Sequence, residues 1–434
     1  MVFIDKALNR REQDGTPIGV GVVGAGFFAR GVVHQLLTPI KGIRLVAMCN
    51  RTPQRVHEVL DEAGTGAYTS VNSTQSLEQA VDSGKIAISQ DYKHLCTAGN
   101  VDVLIECTGD VEFGAKVALS SIENGKHIIL ANVLLDATVG PLLKYKADQA
   151  GVVITNIDGD EPAVAMNLLR YVESIGYRAV AAGNIKGMLD RYRNPDTQRA
   201  FAERVNQSPK MITSYADGTK LSMETCTLAN AAGFGVAKRG MKGYACDHVQ
   251  DLSALLRKDV GTLLNRGVVE YVVGAKPGQG AFVVAHNDQP VKQEYMSYLK
   301  MGDGPLYTFY TPYHLPHLEI ALTIGRAAIF GDAAVTPVGA PMCDVITVAK
   351  RDLKQGDQLD GVGGFDAYGE IEAIETSRSG HYLPIGLAKD CRLKRDVSKD
   401  QVLSVDDVEL PEGRLIDRLR MEQEQLFFPS LMGV

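Results

Sequence analysis

A short glycine pattern carries the clearest chemistry in this sequence. Val20-Gly21-Val22-Val23-Gly24-Ala25-Gly26-Phe27-Phe28-Ala29 contains Gly24-x-Gly26-x-x-Ala29, directly after an apolar run and opening a helical pattern. Gly24 permits a tight turn, Gly26 lets the backbone approach a pyrophosphate, and the small Ala29 allows a helix to pack closely on a strand. Phe27 and Phe28 lie in the first helical turn, where free amides and a partial positive charge suit phosphate. The plain alternative is a glycine-rich structural turn. The next apolar run ends at Cys49-Asn50-Arg51-Thr52. An NAD site usually places Asp or Glu at this point, on the ribose hydroxyls. Neither is present, and Arg51 could pair with a 2′-phosphate instead. The expected cofactor is NADPH; a solvated surface arginine is the alternative. Cys107-Thr108-Gly109 and Asn132 each end a predicted strand, where a nicotinamide sits in such sheets. Ordinary loop capping is their alternative.

These groups need a scaffold, and the hydropathy pattern supplies one. Strands are predicted at Ile18–Val23, Arg44–Cys49, Val103–Glu106, His127–Ala131 and Val152–Thr155. Between them the spacing predicts helices over Gly26–Leu37, Gln54–Ala63, Glu112–Asn124 and Thr138–Ala150. This βαβ rhythm predicts an α/β fold with a doubly wound parallel sheet of the Rossmann type. The rhythm changes near Asp158. A helix over Pro162–Ser174 and a strand over Arg178–Lys186 follow, then a helix-rich stretch, 196–232. Strands at Val268–Val273 and Ala281–Ala285 and a helix around Leu315–Phe330 complete a central α+β part. Beyond Asp344 the chain turns to short strands and glycines, a small β-rich part. The expected domains are 1–160, 161–343 and 344–434, with Met421–Val434 as a terminal arm.

The composition of the 434 residues is that of an ordinary globular protein, 45% hydrophobic and 22% charged. The 45 basic and 52 acidic residues leave a net charge of −7, which gives no support for nucleic-acid binding. No apolar run is long enough for a membrane helix, and the charges from Asp5 to Glu12 interrupt any secretion signal. The seven cysteines are scattered and form no Cys-x-x-Cys pair, so a reducing cytoplasm is the expected compartment.

Glu106-Cys107-Thr108-Gly109 and Gly125-Lys126-His127-Ile128-Ile129-Leu130-Ala131-Asn132 resemble the nucleotide domain of homoserine dehydrogenases, over roughly residues 18–160. Those enzymes carry Asn-Lys where this chain has Asn132-Val133. Val348-Ala349-Lys350-Arg351-Asp352-Leu353-Lys354-Gln355-Gly356-Asp357 and Leu387-Ala388-Lys389-Asp390 resemble the small β module called SAF. That combination is similar to a group of bacterial oxidoreductases, the DXR-like (DRL) enzymes. Their chemistry is that of 1-deoxy-D-xylulose 5-phosphate reductoisomerase, in isoprenoid synthesis. The resemblance implies a homodimer, NADPH, a divalent metal (Mg or Mn) and a small phosphorylated sugar as substrate.

Reductoisomerisation needs a cation on the substrate oxygens and a group to manage protons. Asp158, Asp160 and Glu161 place three carboxylates in four residues, and hard cations take oxygen ligands. A capped helix start is the alternative. Lys186, at the end of a predicted strand, could donate a proton or stabilise an oxyanion, with Asp190 orienting it. Arg191 and Arg193 follow as loop residues. Gly233–Gly243 carries Lys238, Arg239 and Lys242 among glycines, a pattern suited to a substrate phosphate or to a flexible basic loop. Glu224, Thr225 and Asn230 precede it and could line the same cleft. His314 is expected as a substrate contact; Pro316 separates it from His317, which argues against zinc. His248 is read as a packing or capping residue. Two other readings stay open: simple hydride transfer on a keto or aldehyde substrate, and a non-catalytic NADP-binding regulatory protein.

Overall fold

The computed structural model describes residues 4–429. Contacts divide the chain into two units rather than into three contiguous parts. The first joins 4–160 to 315–336 and to 415–429; the second joins 161–314 to 337–414.

The first unit is built on seven strands: β1 (Ile18–Val23), β2 (Ile43–Cys49), β3 (Tyr68–Ser70), β4 (Ile86–Ser89), β5 (Val103–Glu106), β6 (His127–Leu130) and β7 (Ile154–Asn156). They lie in the order β3-β4-β2-β1-β5-β6-β7, and every pairing is parallel. β1 is buried along its whole length, as its unbroken Ile-Gly-Val-Gly-Val-Val requires of a strand covered on both faces. Val20, Val22, Ile105 and Ile129 share a core with Val32 and Val33 of the helix Phe27–Leu36 and with Ile320 and Ile324 of the helix Ile320–Phe330. β3 and β4 were not expected. At three and four residues they are too short for alternation to show.

The helix Val133–Ala150 begins a turn and more before its expected start at Thr138, because Asn132 caps it. It breaks at Val139, two residues before Pro141. The helix Leu415–Phe427 fills the break. The Leu142 amide donates to Gln423 Oε1 at 3.1 Å, and Gln423 Nε2 and Arg420 Nη1 donate to the Thr138 carbonyl at 3.3 and 3.0 Å. Of the expected terminal arm, residues 421–427 thus belong to a packed helix, and 430–434 lie outside the described residues.

The second unit holds a mixed sheet of β8 (Arg178–Lys186), β9 (Tyr244–Ala245), β10 (Val268–Val273), β11 (Gln279–His286) and β12 (Leu306–Thr311), ordered β12-β11-β8-β10-β9. β8 runs parallel to β10 and antiparallel to β11. The helices Glu161–Ser174 and Thr219–Ala232 pack on β8 and on each other. The second of these is buried on nearly every side, which its run of small and apolar residues allows. Residues 343–414 form short β pairs, Cys343–Ala349 with Ala367–Ala373 and Arg392–Leu393 with Val408–Glu409.

Among the described residues no helix is long and apolar enough to cross a membrane.

Candidate functional site

The β1 turn in the first unit has the features of a phosphate cradle. Gly24 sits at φ +118°, and a Cβ there would lie 3.0 Å from the Cys107 carbonyl oxygen, so both backbone and space require glycine. A Cβ on Gly26 would meet nothing within 4 Å, which leaves open approach. The helix begins at Phe27 with no side-chain cap, so its first amides are offered outward. Ala29 is fully buried against the sheet. Phe27 is exposed, whereas the Phe28 ring packs edge-on against His317 at 5.3 Å. These residues fit a dinucleotide.

Beyond β2, Asn50 Nδ2 donates to the Thr52 carbonyl at 2.9 Å and shapes the turn. Arg51 is exposed, and among the described residues its guanidinium meets no carboxylate. Thr52 precedes a helix without capping it by its side chain. Beyond β5, Cys107 donates its amide to Val23, and Gly109 takes φ +69°. The Thr108 amide donates to Glu106 Oε1 at 2.7 Å, and its hydroxyl donates to the same oxygen. Glu106 is buried, and burial pushes its carboxyl up against the pull of these bonds. Asn132 is a cap: its Oδ1 accepts from Leu135 and its Nδ2 donates to the Asp110 carbonyl, both at 3.2 Å. The capping alternative therefore accounts for Asn132.

Two acids expected as metal ligands part company at Gly159. Its φ is +80°, and a Cβ there would lie 2.8 Å from the Leu315 backbone. Asp158 turns into the first unit, where Arg326 holds it at 2.8 Å with both side chains fully buried. Asp158 is a structural ion-pair partner and not a metal ligand. The Asp160 amide donates to the Ile157 carbonyl at 3.3 Å, and Glu161 opens the next helix in the second unit.

There Glu161 joins a buried cluster around Lys186. The Lys186 ammonium donates to Glu161 Oε1 at 2.7 Å and to Glu224 Oε2 at 3.3 Å. Asn184, two residues earlier on the same face of β8, donates Nδ2 to Glu224 Oε2 at 2.7 Å. Lys220, one helical turn before Glu224, donates to Glu224 Oε1. His314 Nε2 stands 3.7 Å from Glu161 Oε2. Burial works against the charge on Lys186, but Glu161 and Glu224 outweigh it and raise its pKa. Burial likewise opposes ionised Glu161, yet Lys186, Lys220 and His314 hold it well below the ordinary range. The arrangement keeps an ammonium charged in a shielded place, as a group that must polarise an oxygen or donate a proton requires. Glu161 and Glu224 offer oxygens within 4.8 Å of one another, close enough to share a cation. Both also hold lysine ammonium groups, with which a divalent ion bound there would compete.

The sequence named Lys186, Glu161, Glu224 and His314 but gave them separate roles. It missed Asn184 and Lys220. Alternation along β8 from Lys186, and the four-residue step back from Glu224, were the signals available.

Other expected site residues have structural duties. Asp190 does not orient Lys186; it accepts from the Tyr192 amide at 3.1 Å and from Arg193 Nε at 3.0 Å. Asn230 is buried and accepts from the Met342 and Cys343 amides at 2.7 and 3.1 Å. Thr225 donates its hydroxyl within its own helix. In the basic loop, Arg239 Nε pairs with Glu372 at 2.8 Å and Lys242 with Asp259 at 3.0 Å. The amides of Lys242 and Gly243 donate to the buried Glu270 carboxylate. That loop is tied down by the protein's own acids and is not a ready phosphate nest; of its expected cations, Lys238 is exposed and makes no ion pair among the described residues. His248 accepts a backbone amide from Gln250 as a cap.

Residues 19–155 match the family model described as homoserine dehydrogenase, NAD binding domain, and residues 159–320 match that of oxidoreductase DRL, catalytic domain. The seven-stranded parallel sheet is the fold of an NAD-binding domain. Homoserine dehydrogenase of Pseudomonas aeruginosa is 25% identical over 138 residues, 32% of this chain and 28% of that enzyme. Homoserine dehydrogenase of Neisseria gonorrhoeae is 24% identical over 286 residues, 62% and 59% of the two chains. The chain thus spans less than two thirds of the length of either relative. A probable dehydrogenase from Thermotoga maritima is 11% identical in structure-based alignment, over 74% of this chain and 91% of that one, with a TM-score of 0.43.

Proposed function

We propose that this chain reduces a carbonyl substrate with NADPH, and that Lys186 is the group placed against the substrate oxygen. The single observation that carries the reading is the Lys186 ammonium, bracketed by Glu161 and Glu224 within the segment matching an oxidoreductase catalytic domain. NADPH, when bound, supplies the hydride. Gly24, Gly26 and the uncapped first turn at Phe27 would hold its pyrophosphate, and Arg51 its 2′-phosphate. Lys186 polarises the carbonyl by hydrogen bonding and gives its proton to the oxygen as the alcohol forms. Glu161 and Glu224 keep it protonated until then, and Lys220 and Asn184 fix Glu224.

Within this reading the first substrate to try is 1-deoxy-D-xylulose 5-phosphate, with 2-C-methyl-D-erythritol 4-phosphate as product. The matched catalytic-domain description supports it. The ion-paired state of Glu161 and Glu224 favours a second reading, simple reduction of a keto acid or semialdehyde with no metal. Purified protein with NADPH would be given each of 1-deoxy-D-xylulose 5-phosphate and aspartate semialdehyde, with Mn²⁺ and with EDTA, and products read by NMR. A rearranged carbon skeleton from the first compound selects the reductoisomerase; turnover of the second that survives EDTA selects the dehydrogenase. Cofactor binding with no NADPH oxidation on either compound would leave a regulatory protein.

A further inference from the structure

Glu106 closes β5 at the point where the strand order of the first unit reverses. β1 has β2 on one side and β5 on the other. In such sheets the crevice beyond that junction receives the ligand. In register, Glu106 stands between Val23 of β1 and Leu130 of β6. It is fully buried and makes no ion pair among the described residues. Its partners are neutral: the amide and hydroxyl of Thr108 and the side-chain amide of Asn132. Thr108 and Asn132 follow β5 and β6 at the same carboxyl edge of the sheet.

An unpaired carboxylate is costly to bury, and an apolar side chain would avoid the cost. The fold nevertheless makes room for one. Gly114 lies inside the helix Val111–Glu123, where glycine is unfavourable. A Cβ there would stand 3.1 Å from Glu106 Oε2 and 3.0 Å from Asn132 Nδ2. The charges nearby do not compensate. Asp110, which caps that helix, adds like charge. On the same helix Glu112 pairs with Lys116 at 3.0 Å. Asp136, on the helix after Asn132, accepts from Asn156. Arg326, on the helix Ile320–Phe330 that packs on β5, is held by Asp158 and Asp332. Burial pushes the Cys107 thiol well above its ordinary range, so it stays neutral. Val23 and Leu130 carry no charge. Burial, with Asp110 adding to it, therefore pushes the Glu106 carboxyl up. A positive charge arriving in the crevice would restore the ionised form.

The two forms of a nicotinamide dinucleotide differ in that charge: the oxidised ring is positive and the reduced ring is neutral. We propose, building on the cofactor site assigned to this unit above, that Glu106 supplies a buried negative charge that favours the oxidised nicotinamide over the reduced one. The bias makes the site a better hydride donor. Dissociation constants for NADP⁺ and NADPH, measured on the full chain between about pH 5.5 and 8, test it. Contacts to the pyrophosphate and the 2′-phosphate are shared, so they cancel in the ratio of the two. In wild type the ratio of the NADP⁺ constant to the NADPH constant should fall as pH rises, because the cationic ring binds with release of the Glu106 proton to water. Glu106→Gln keeps an acceptor for Thr108 but no charge. Its ratio should be flat with pH, and roughly tenfold above wild type at the alkaline end. A wild-type ratio that does not change with pH would overturn the proposal and leave the cofactor site standing, and so would a Glu106→Gln ratio equal to it. Wild type that binds neither nucleotide would instead remove the cofactor site, and the role of Glu106 with it.

Discussion

Asp158 and Arg326 form an ion pair at 2.8 Å in which neither side chain reaches solvent. Arg326 also pairs with Asp332 at 2.9 Å and donates to the Ala333 carbonyl, so one guanidinium ties three segments of the first unit. Removing one partner of a buried pair leaves an uncompensated charge and costs about 3–5 kcal/mol. Asp158→Asn should lower stability toward the lower end of that range, since Asp332 remains. Urea unfolding of the two proteins, with and without added Mg²⁺, measures it. Stability unchanged by the substitution would contradict the structural role assigned to Asp158.

Lys186→Met should lower kcat by roughly 10²–10⁴-fold, the usual contribution of a positioned proton donor. NADPH affinity, read by the quenching of its fluorescence, should stay within error, because Lys186 has no part in the cradle at Gly24–Ala29. A variant that loses both together would point to a folding defect rather than to lost chemistry.

Arg51→Ala should raise the KM for NADPH roughly tenfold to a hundredfold, the worth of charge-assisted hydrogen bonds at about 1.5–3 kcal/mol. The KM for NADH should not move. Steady-state kinetics with both cofactors decide it, and an equal change for the two would remove the 2′-phosphate assignment.

The cluster around Lys186 makes stability depend on pH in a defined window. Glu161 is held well below its ordinary value of 4.5, so its contribution is complete above 4.5 and is lost as pH falls through the folded value. Lys186 is raised above its ordinary 10.5, so its contribution is complete below 10.5 and is lost as pH rises through the raised value. The advantage of wild type over Glu161→Gln should be flat across neutral pH and shrink as the solution is acidified below about 4.5. Urea midpoints of the two proteins across that range test it; an advantage that grows on acidification would reverse the sign.

Asn230→Ala should cost about 1–3 kcal/mol, because it strands the buried amide of Cys343 and the half-buried amide of Met342. The KM for the carbonyl substrate should not change. An altered KM at unchanged stability would return Asn230 to the substrate cleft.

Local pattern and tertiary placement were unequally legible. β1, β5, β8 and β10 were readable to the residue, because each is a mostly apolar run bounded by polar residues or turn formers. The cradle at Gly24 and Gly26 was readable for the same reason: its chemistry lies within six consecutive residues. Asp158 was misleading beside Glu161, because adjacency does not imply convergence. One left-handed glycine sends the first into a core and the last onto a different helix. Glu224 and Lys186 are 38 residues apart, and nothing in either neighbourhood announces that the helix Thr219–Ala232 crosses β8. The basic loop failed in the opposite way. Its cations were visible, but Glu270, Glu372 and Asp259, which tie it down, lie far along the chain.

The broken helix at Val139 bears on how the chain is made. The amide of Leu142 and the carbonyl of Thr138 find partners in Gln423 and Arg420, nearly three hundred residues later. A ribosome adding about 5–20 residues per second would leave those groups to water for tens of seconds after the seven-stranded sheet had emerged. The first unit to leave the ribosome is therefore among the last to be completed, and a chain released early would carry that wound open.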